Sequence, residues 1–271
     1  MHHLSKFACI VFGAAVLFTG CIGKDGAPGP TGTAGTNGTA GPTGPSGQNL
    51  TGNLTGFVNS VDETGAQLSK AGVLVTLDGA TPAVTATSDV DGRFTLTNVR
   101  NGTYNLTFGR AGYGTFRRLG VGHVGGDQPT FLGVTTLSQV STQTITSIAN
   151  GTPSPTAVSL NLTFASPTPT TTFRYALFAS STPNPTAATA TLVQNGTVFS
   201  SGAPTTTFQF NNLGINRAQF NNAGFASGAT VYLIMYGSTS FLTAYLDTAT
   251  GRFVYPVLNP VGSPVLVTVI P

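Results

Sequence analysis

The sequence predicts an all-β protein, with two β-sandwiches in series behind an N-terminal stalk that is either collagen-like or simply extended. Three observations carry that expectation. Short runs of alternating apolar and polar residues fill the chain from Asn53 onward. Glycine, proline and Asx residues punctuate those runs at close intervals. An unbroken Gly-X-Y repeat precedes them. Alternation with period two is the mark of strands buried on one face, and dense turn chemistry between short strands is the mark of a sandwich.

The first sandwich is expected over residues 53–137. Val73, Val75 and Leu77 share one face, with Leu74 and Thr76 opposite. Phe94 and Leu96 alternate with Thr95 and Thr97, and Tyr104, Leu106 and Phe108 with Asn105 and Thr107. Asp91-Gly92, Asn101-Gly102 and Ala111-Gly112 are the turn signals between them. Asp91-Gly92 reads as a hairpin that returns Phe94 inward, and Tyr104 as a ring packed against the opposite sheet.

The second sandwich is expected over residues 138–271. Pro153 and Pro155 mark a corner between strands. Strands are expected at 157–164, 172–180, 190–194, 205–211, 229–237, 241–246, 252–257 and 264–270. Leu160, Leu162 and Phe164 alternate, as do Phe173, Tyr175 and Leu177, and Val231, Leu233 and Met235. The general shape is immunoglobulin- or fibronectin-III-like. With no tryptophan and no cysteine pair to fix the arrangement, the exact topology stays open. Tyr232, Tyr236, Tyr245 and Tyr255 sit on or beside strands. They fit core packing or hydroxyl-tethered corners better than a sugar-stacking platform.

The N-terminus carries an address. Lys6, with His2 and His3, gives a basic start to residues 1–20, and Phe7 to Phe18 is apolar. That core is shorter than the ~20 residues needed to span a bilayer, so residues 1–20 read as a secretory signal. Thr19-Gly20 supplies small residues before Cys21. The segment resembles the lipobox of bacterial lipoproteins, which implies cleavage before Cys21 and lipidation of its thiol. Residues 21–22 would then be the lipidated N-terminus. Each buried CH₂ of the acyl chains adds ~0.8 kcal/mol, so several chains anchor permanently. By the same resemblance, Ile22 after the cysteine implies the outer membrane.

Glycine then occupies every third position from Gly23 to Asn49. A triple helix requires that spacing, because only hydrogen fits at its crowded axis, and one of this length would extend ~80 Å. It would also make the protein a homotrimer. Only Pro28, Pro30, Pro42 and Pro45 occupy X and Y positions, so a loose polyproline-like spacer is the alternative. Either form holds the two sandwiches away from the membrane.

Composition narrows the function. Charged residues make up 7% of the chain, against roughly 25% in average proteins. There is no basic stripe, so nucleic acid is not an expected partner. Of two cysteines, Cys9 leaves with the leader and Cys21 would be alkylated, which leaves neither thiol nor disulfide.

In the first sandwich, the order of motifs resembles a known family. The residues are Gly56-Phe57-Val58, Ala71-Gly72-Val73-Leu74-Val75-Thr76-Leu77, Thr87-Ser88-Asp89-Val90-Asp91-Gly92-Arg93-Phe94-Thr95-Leu96, Val99-Arg100-Asn101-Gly102-Thr103-Tyr104-Asn105-Leu106-Thr107-Phe108 and Gly112-Tyr113. They are similar to the carboxypeptidase regulatory-like domain. The resemblance implies a seven-stranded transthyretin-like sandwich without catalytic residues.

Candidate chemical motifs are few. Gly120-Val121-Gly122-His123-Val124-Gly125 spells G-x-G-x-x-G, but no helix pattern follows, so a glycine loop is the better reading. Asp89-Val90-Asp91-Gly92 lacks the glycine position and closing glutamate of a calcium loop, so it reads as a turn. His123, the sole imidazole after the leader, has only Asp127 nearby as a metal partner. Asp62-Glu63 reads as an exposed turn, and sequence neighbours there need not converge as a glycosidase pair must. The expectation is therefore no enzyme, no catalytic or metal residue and no cofactor, with Cys21 as the modified position. The chain reads as a lipid-anchored presenter of β-sandwiches for adhesion or envelope and matrix structure. The alternative is an accessory module that binds polysaccharide or peptide for an uptake or degradation system. An extracellular glycan or protein is the expected ligand.

Overall fold

The computed structural model describes residues 49–271. The chain divides into two units, Met1–Ser46 and Gly47–Pro271. The leader, Cys21 and all but the last residue of the Gly-X-Y run lie outside the described residues.

The second unit is built almost entirely of strands, as the alternation predicts. Its first seven strands are β1 (Thr51–Val61), β2 (Leu74–Leu77), β3 (Val84–Thr87), β4 (Arg93–Arg100), β5 (Gly102–Gly109), β6 (Phe116–His123) and β7 (Thr130–Ser138). They form two facing sheets, ordered β4-β1-β7 and β3-β2-β5-β6. In the first, β1 is antiparallel to β4 and parallel to β7. The inward residues are those the alternation marks. Val75, Leu96, Leu106 and Phe108 are fully buried, and Phe94 meets Phe108 edge-on with centroids 5.6 Å apart. Tyr104 lies at the margin of this core and donates its hydroxyl to the Arg100 carbonyl.

One turn differs from expectation. Asp91-Gly92 does not close a hairpin, because β3 and β4 belong to opposite sheets. The segment carries the chain across the sandwich instead. Asp89 holds it, with one carboxylate oxygen accepting from the backbone N–H of both Asp91 and Arg93. Gly92 sits at φ +84°, and a Cβ there would stand 2.3 Å from the Val58 carbonyl oxygen. Only glycine tolerates both that backbone conformation and that approach.

The remaining strands are β8 (Thr144–Asn150), β9 (Ala157–Thr170), β10 (Thr172–Ser180), β11 (Thr191–Phe199), β12 (Thr205–Asn216), β13 (Thr230–Gly237), β14 (Tyr245–Asp247), β15 (Arg252–Val254) and β16 (Leu266–Val269). A three-stranded sheet, β12-β9-β8, faces a four-stranded one, β11-β10-β13-β16. Leu160, Phe164, Phe173, Leu177, Val231, Leu233 and Met235 fill the space between. In chain order the sheets take strands one, two and five against three, four, six and seven. This departs from the immunoglobulin constant arrangement by one strand, since β11 pairs with β10 and not with β12. The topology left open by the sequence is thus a fibronectin-III-like one.

Three further differences arise here. Strand β8 precedes the first strand expected in this half, and the Pro153–Pro155 segment joins it to its own sheet neighbour β9. The expected strand at 241–246 shrinks to β14, which pairs only with β15. A short helix, α1 (Arg217–Asn222), buries Phe220 against the core. Its first turn closes where the Asn216 N–H donates to Gln219 Oε1.

The four-stranded sheet has a second covered face. Ala176, Phe178, Ile234 and Tyr236 point away from the main core, yet they are buried under Ala190, Leu258, Leu242 and Tyr255. The segments after β10 and after β13, with the β14–β15 hairpin, form a cap over β10 and β13. Phe178 meets Tyr236 and Tyr255 edge-on at 5.8 and 5.3 Å.

Candidate functional site

The residues singled out from the sequence do not converge. His123 is buried at the end of β6, with Nε2 3.1 Å from the Val99 carbonyl and Nδ1 2.8 Å from Thr130 Oγ1. A carbonyl only accepts, so Nε2 carries the proton, and the Thr130 hydroxyl can donate to Nδ1. Both ring nitrogens are occupied in joining three strands. The G-x-G-x-x-G match begins inside β6, not in a loop as expected, and the next element is β7. Among the described residues no group of three His, Cys, Asp or Glu side chains is placed to hold a metal ion.

Asp62 and Glu63 diverge. One Asp62 oxygen accepts from the Thr64 N–H and hydroxyl and from the Ala66 N–H, closing its own turn. Burial opposes ionisation of Asp62, but these hydrogen bonds outweigh it and hold its pKa below the ordinary value. Glu63 turns the other way. Its two oxygens accept from the N–H and hydroxyl of Thr142, at 2.9 and 2.6 Å. Nothing in the local sequence marks that reach across 79 positions.

Glu63 belongs to a junction that locks the two sandwiches together. The connecting segment 138–143 is held on both sides. On the first sandwich, the Gln139 N–H donates to Val61 O and the Val140 N–H to Gly112 O. On the second, the Ser141 N–H donates to Val257 O, and Asn259 Nδ2 donates to Ser141 O. The Gln143 side chain bonds both Thr172 O and the Arg174 N–H. Glycine permits the closest approaches. A Cβ on Gly237 would lie 1.8 Å from the Gln143 carbonyl oxygen, and one on Gly114 2.6 Å from that of Pro256.

The β14–β15 hairpin adds a second bridge. Tyr245 meets Phe116 of β6 edge-on at 5.7 Å. Beside it Arg117 pairs with Asp78 at 2.7 Å, and Asp78 also accepts from the Thr107 hydroxyl. The bond to Asp78 raises the Arg117 pKa against the effect of burial. Burial likewise raises the Tyr245 hydroxyl, with Arg117 acting in the opposite sense.

Strand β15 and the turn before it line a cleft of about 450 Å³, with Ala187–Leu192 on its other side. Arg252 crosses it and donates to the Ala188 and Thr189 carbonyls. Phe253 is 55% exposed there, 6.5 Å from Tyr255 and tilted 41° to it. The pair is not coplanar, so it offers one open ring and not a platform. Of the four tyrosines considered as such a platform, Tyr236 is buried and its hydroxyl accepts from the Ala187 N–H. Tyr232, Tyr245 and Tyr255 are half-buried.

Comparison with solved structures returns β-sandwich proteins at low similarity. A type II cohesin–X-dockerin complex from Acetivibrio cellulolyticus aligns at 21% identity and TM-score 0.28, covering 33% of this chain and 58% of that one. This chain thus spans little more than half of that structure's length. A Bacteroides uniformis protein provisionally described as carbohydrate-binding aligns at 15% identity and TM-score 0.26, covering 80% of this chain and 98% of that one. The major pilin SpaD of Corynebacterium diphtheriae aligns at 13% identity and TM-score 0.26, covering 81% and 65%. At these values the likeness is one of sandwich construction alone. No curated protein matches the chain. A family model does match, over residues 53–137. That stretch, which folds as the seven-stranded sandwich of β1 to β7, matches the carboxypeptidase regulatory-like domain.

Proposed function

We propose that the chain is a non-catalytic lipoprotein of the bacterial outer surface. Cys21 carries the lipid, residues 23–49 act as a spacer, and the paired sandwiches form a stiff head for adhesion or for envelope and matrix structure. The observation that carries this reading is the junction. A segment tied by hydrogen bonds to both sandwiches, with Glu63 bound to Thr142, suits a head that keeps its shape under load. The reactive groups support it too, since the buried imidazole and the ion pair between Asp78 and Arg117 are both spent on structure.

The test is expression of the full chain in a Gram-negative host fed an alkyne-tagged fatty acid. Label is expected on the wild type and absent from Cys21→Ala, with the head cleaved when protease is added to intact cells. Unlabelled wild-type protein, or a head that intact cells protect, overturns the reading.

The alternative, a binding module for polysaccharide or peptide, is favoured by one feature, the exposed Phe253 ring in the cleft of the β14–β15 hairpin. Saturable binding on a glycan or peptide array that Phe253→Ala abolishes would establish that role.

A further inference from the structure

The first sandwich carries an apolar face that nothing in the described chain covers. On the outer side of the β4-β1-β7 sheet, Phe57, Phe131 and Val134 are 37%, 62% and 64% exposed. The two rings meet edge-on at 6.2 Å, and Phe57 lies opposite Val134 in the register. A bulge creates the patch. The β1–β7 register shifts by one residue beside Gly133, at φ +71°, so that Phe131 and Val134 both face outward. Leu50, just before β1, and Val124, just after β6, are also exposed, at 42% and 76%.

The position of this face on the chain identifies its occupant. The Gly-X-Y run ends at Asn49, and β1 begins at Thr51. Two residues reach at most ~7 Å. A triple helix built from that run would therefore deliver three copies of β1 to one place, each with the same patch beside it. The ionisable residues in register with β1 are Arg93, opposite Phe57, and Arg100, opposite Thr51, so the charge at this face is confined to its β4 side. Three residues are far fewer than the ~20–30 a side of a free-standing interface. Tethering through so short a link gives an effective concentration in the millimolar range, at which a small apolar contact is occupied.

We infer that the outer face of the β4-β1-β7 sheet, centred on Phe57, Phe131 and Val134, is the contact between copies of this chain at the head of the stalk. The inference rests on the triple-helical form of the spacer. Because the chain has no cysteine after Cys21, an introduced thiol reports this contact cleanly. The full chain is expressed as wild type, Phe131→Cys, Val134→Cys and Val90→Cys. Each is oxidised on whole cells, run on a non-reducing gel, and sized after detergent extraction. The expected result is a trimeric mass for all four and a linked dimer band for Phe131→Cys or Val134→Cys only. Val90 is the control, at 80% exposure in the turn before β4. A trimer with no link at either patch position overturns the contact and leaves the triple helix standing. A monomeric mass overturns both.

Discussion

The two sandwiches solve the same burial problem with different numbers of layers. In the first, strands such as β5 bury one face and leave the other to solvent or to the sheet margin. In the second, β10 is buried at every position from Tyr175 to Ser180, and β13 at every position from Leu233 to Gly237. The extra layer is the cap of loops and the β14–β15 hairpin over Phe178, Ile234 and Tyr236. Clean alternation along a strand therefore reports a two-layer environment, while an apolar run such as Tyr175-Ala176-Leu177-Phe178-Ala179 reports cover on both sides.

The strongest way to break this comparison is to empty the cap. Phe178→Ala is expected to cost about 3–5 kcal/mol, the same as Phe94→Ala in the two-layer core. Denaturant midpoints of both variants check it. A Phe178→Ala loss under about 1 kcal/mol would make the cap a loose cover and not a core.

Tyr175 gives the next effect. Burial pushes its hydroxyl up to about 12. The folded pKa lies above the unfolded value of about 10, so its contribution is whole below pH 10 and is lost as pH rises through 12. The loss by then is on the order of 2 kcal/mol. Stability measured across that window should fall less steeply in Tyr175→Phe. That variant also removes the acceptor for Gln194, whose own side chain accepts from Gln219 of α1.

Glu63→Ala tests what joins the two halves. Loss of both Thr142 hydrogen bonds is expected to cost about 1.5 kcal/mol, the low end for a charge-assisted contact that is partly solvated. In calorimetry the melting of the two sandwiches should move apart. The smallest effect belongs to Asp62. Its pKa is depressed on folding, so its contribution is present above the ordinary carboxylate value of 3.8 and fades as pH falls below it. Asp62→Asn should lower the neutral plateau slightly and flatten the acid limb of the stability curve, as measured by denaturation across that pH range.

These same features show how much is legible in the sequence. Phe94, Leu96, Leu106 and Phe108 are readable as core because each stands two residues from its partner on a half-exposed strand. The cap is not, because runs buried on both faces lose period two and resemble any apolar segment. Phe241 reads as strand because its neighbours are β-formers, but it packs on Gly65, where a Cβ would come within 2.8 Å of its ring. That contact spans more of the chain than any local pattern can encode. Helix α1 is too short to establish a 3.6-residue period. Asp91-Gly92 carries a correct turn signal, yet turn chemistry does not say which sheet the chain enters next. Glu63 is legible only as a charged turn residue, since its partner is set by how the sandwiches dock.

The parallel pairing of β1 with β7 has a mechanical consequence. Tension from an anchored N-terminus would enter the first sandwich at Thr51, the start of β1, and leave toward the second at Ser138, the end of β7. Parallel neighbours place those two points at opposite ends of the same ladder. The seven register pairs from Leu54–Thr130 to Val61–Ser138 are then loaded together in shear and do not open one after another like a zip. A head so connected would yield abruptly at high force, and below that force it would hold its length.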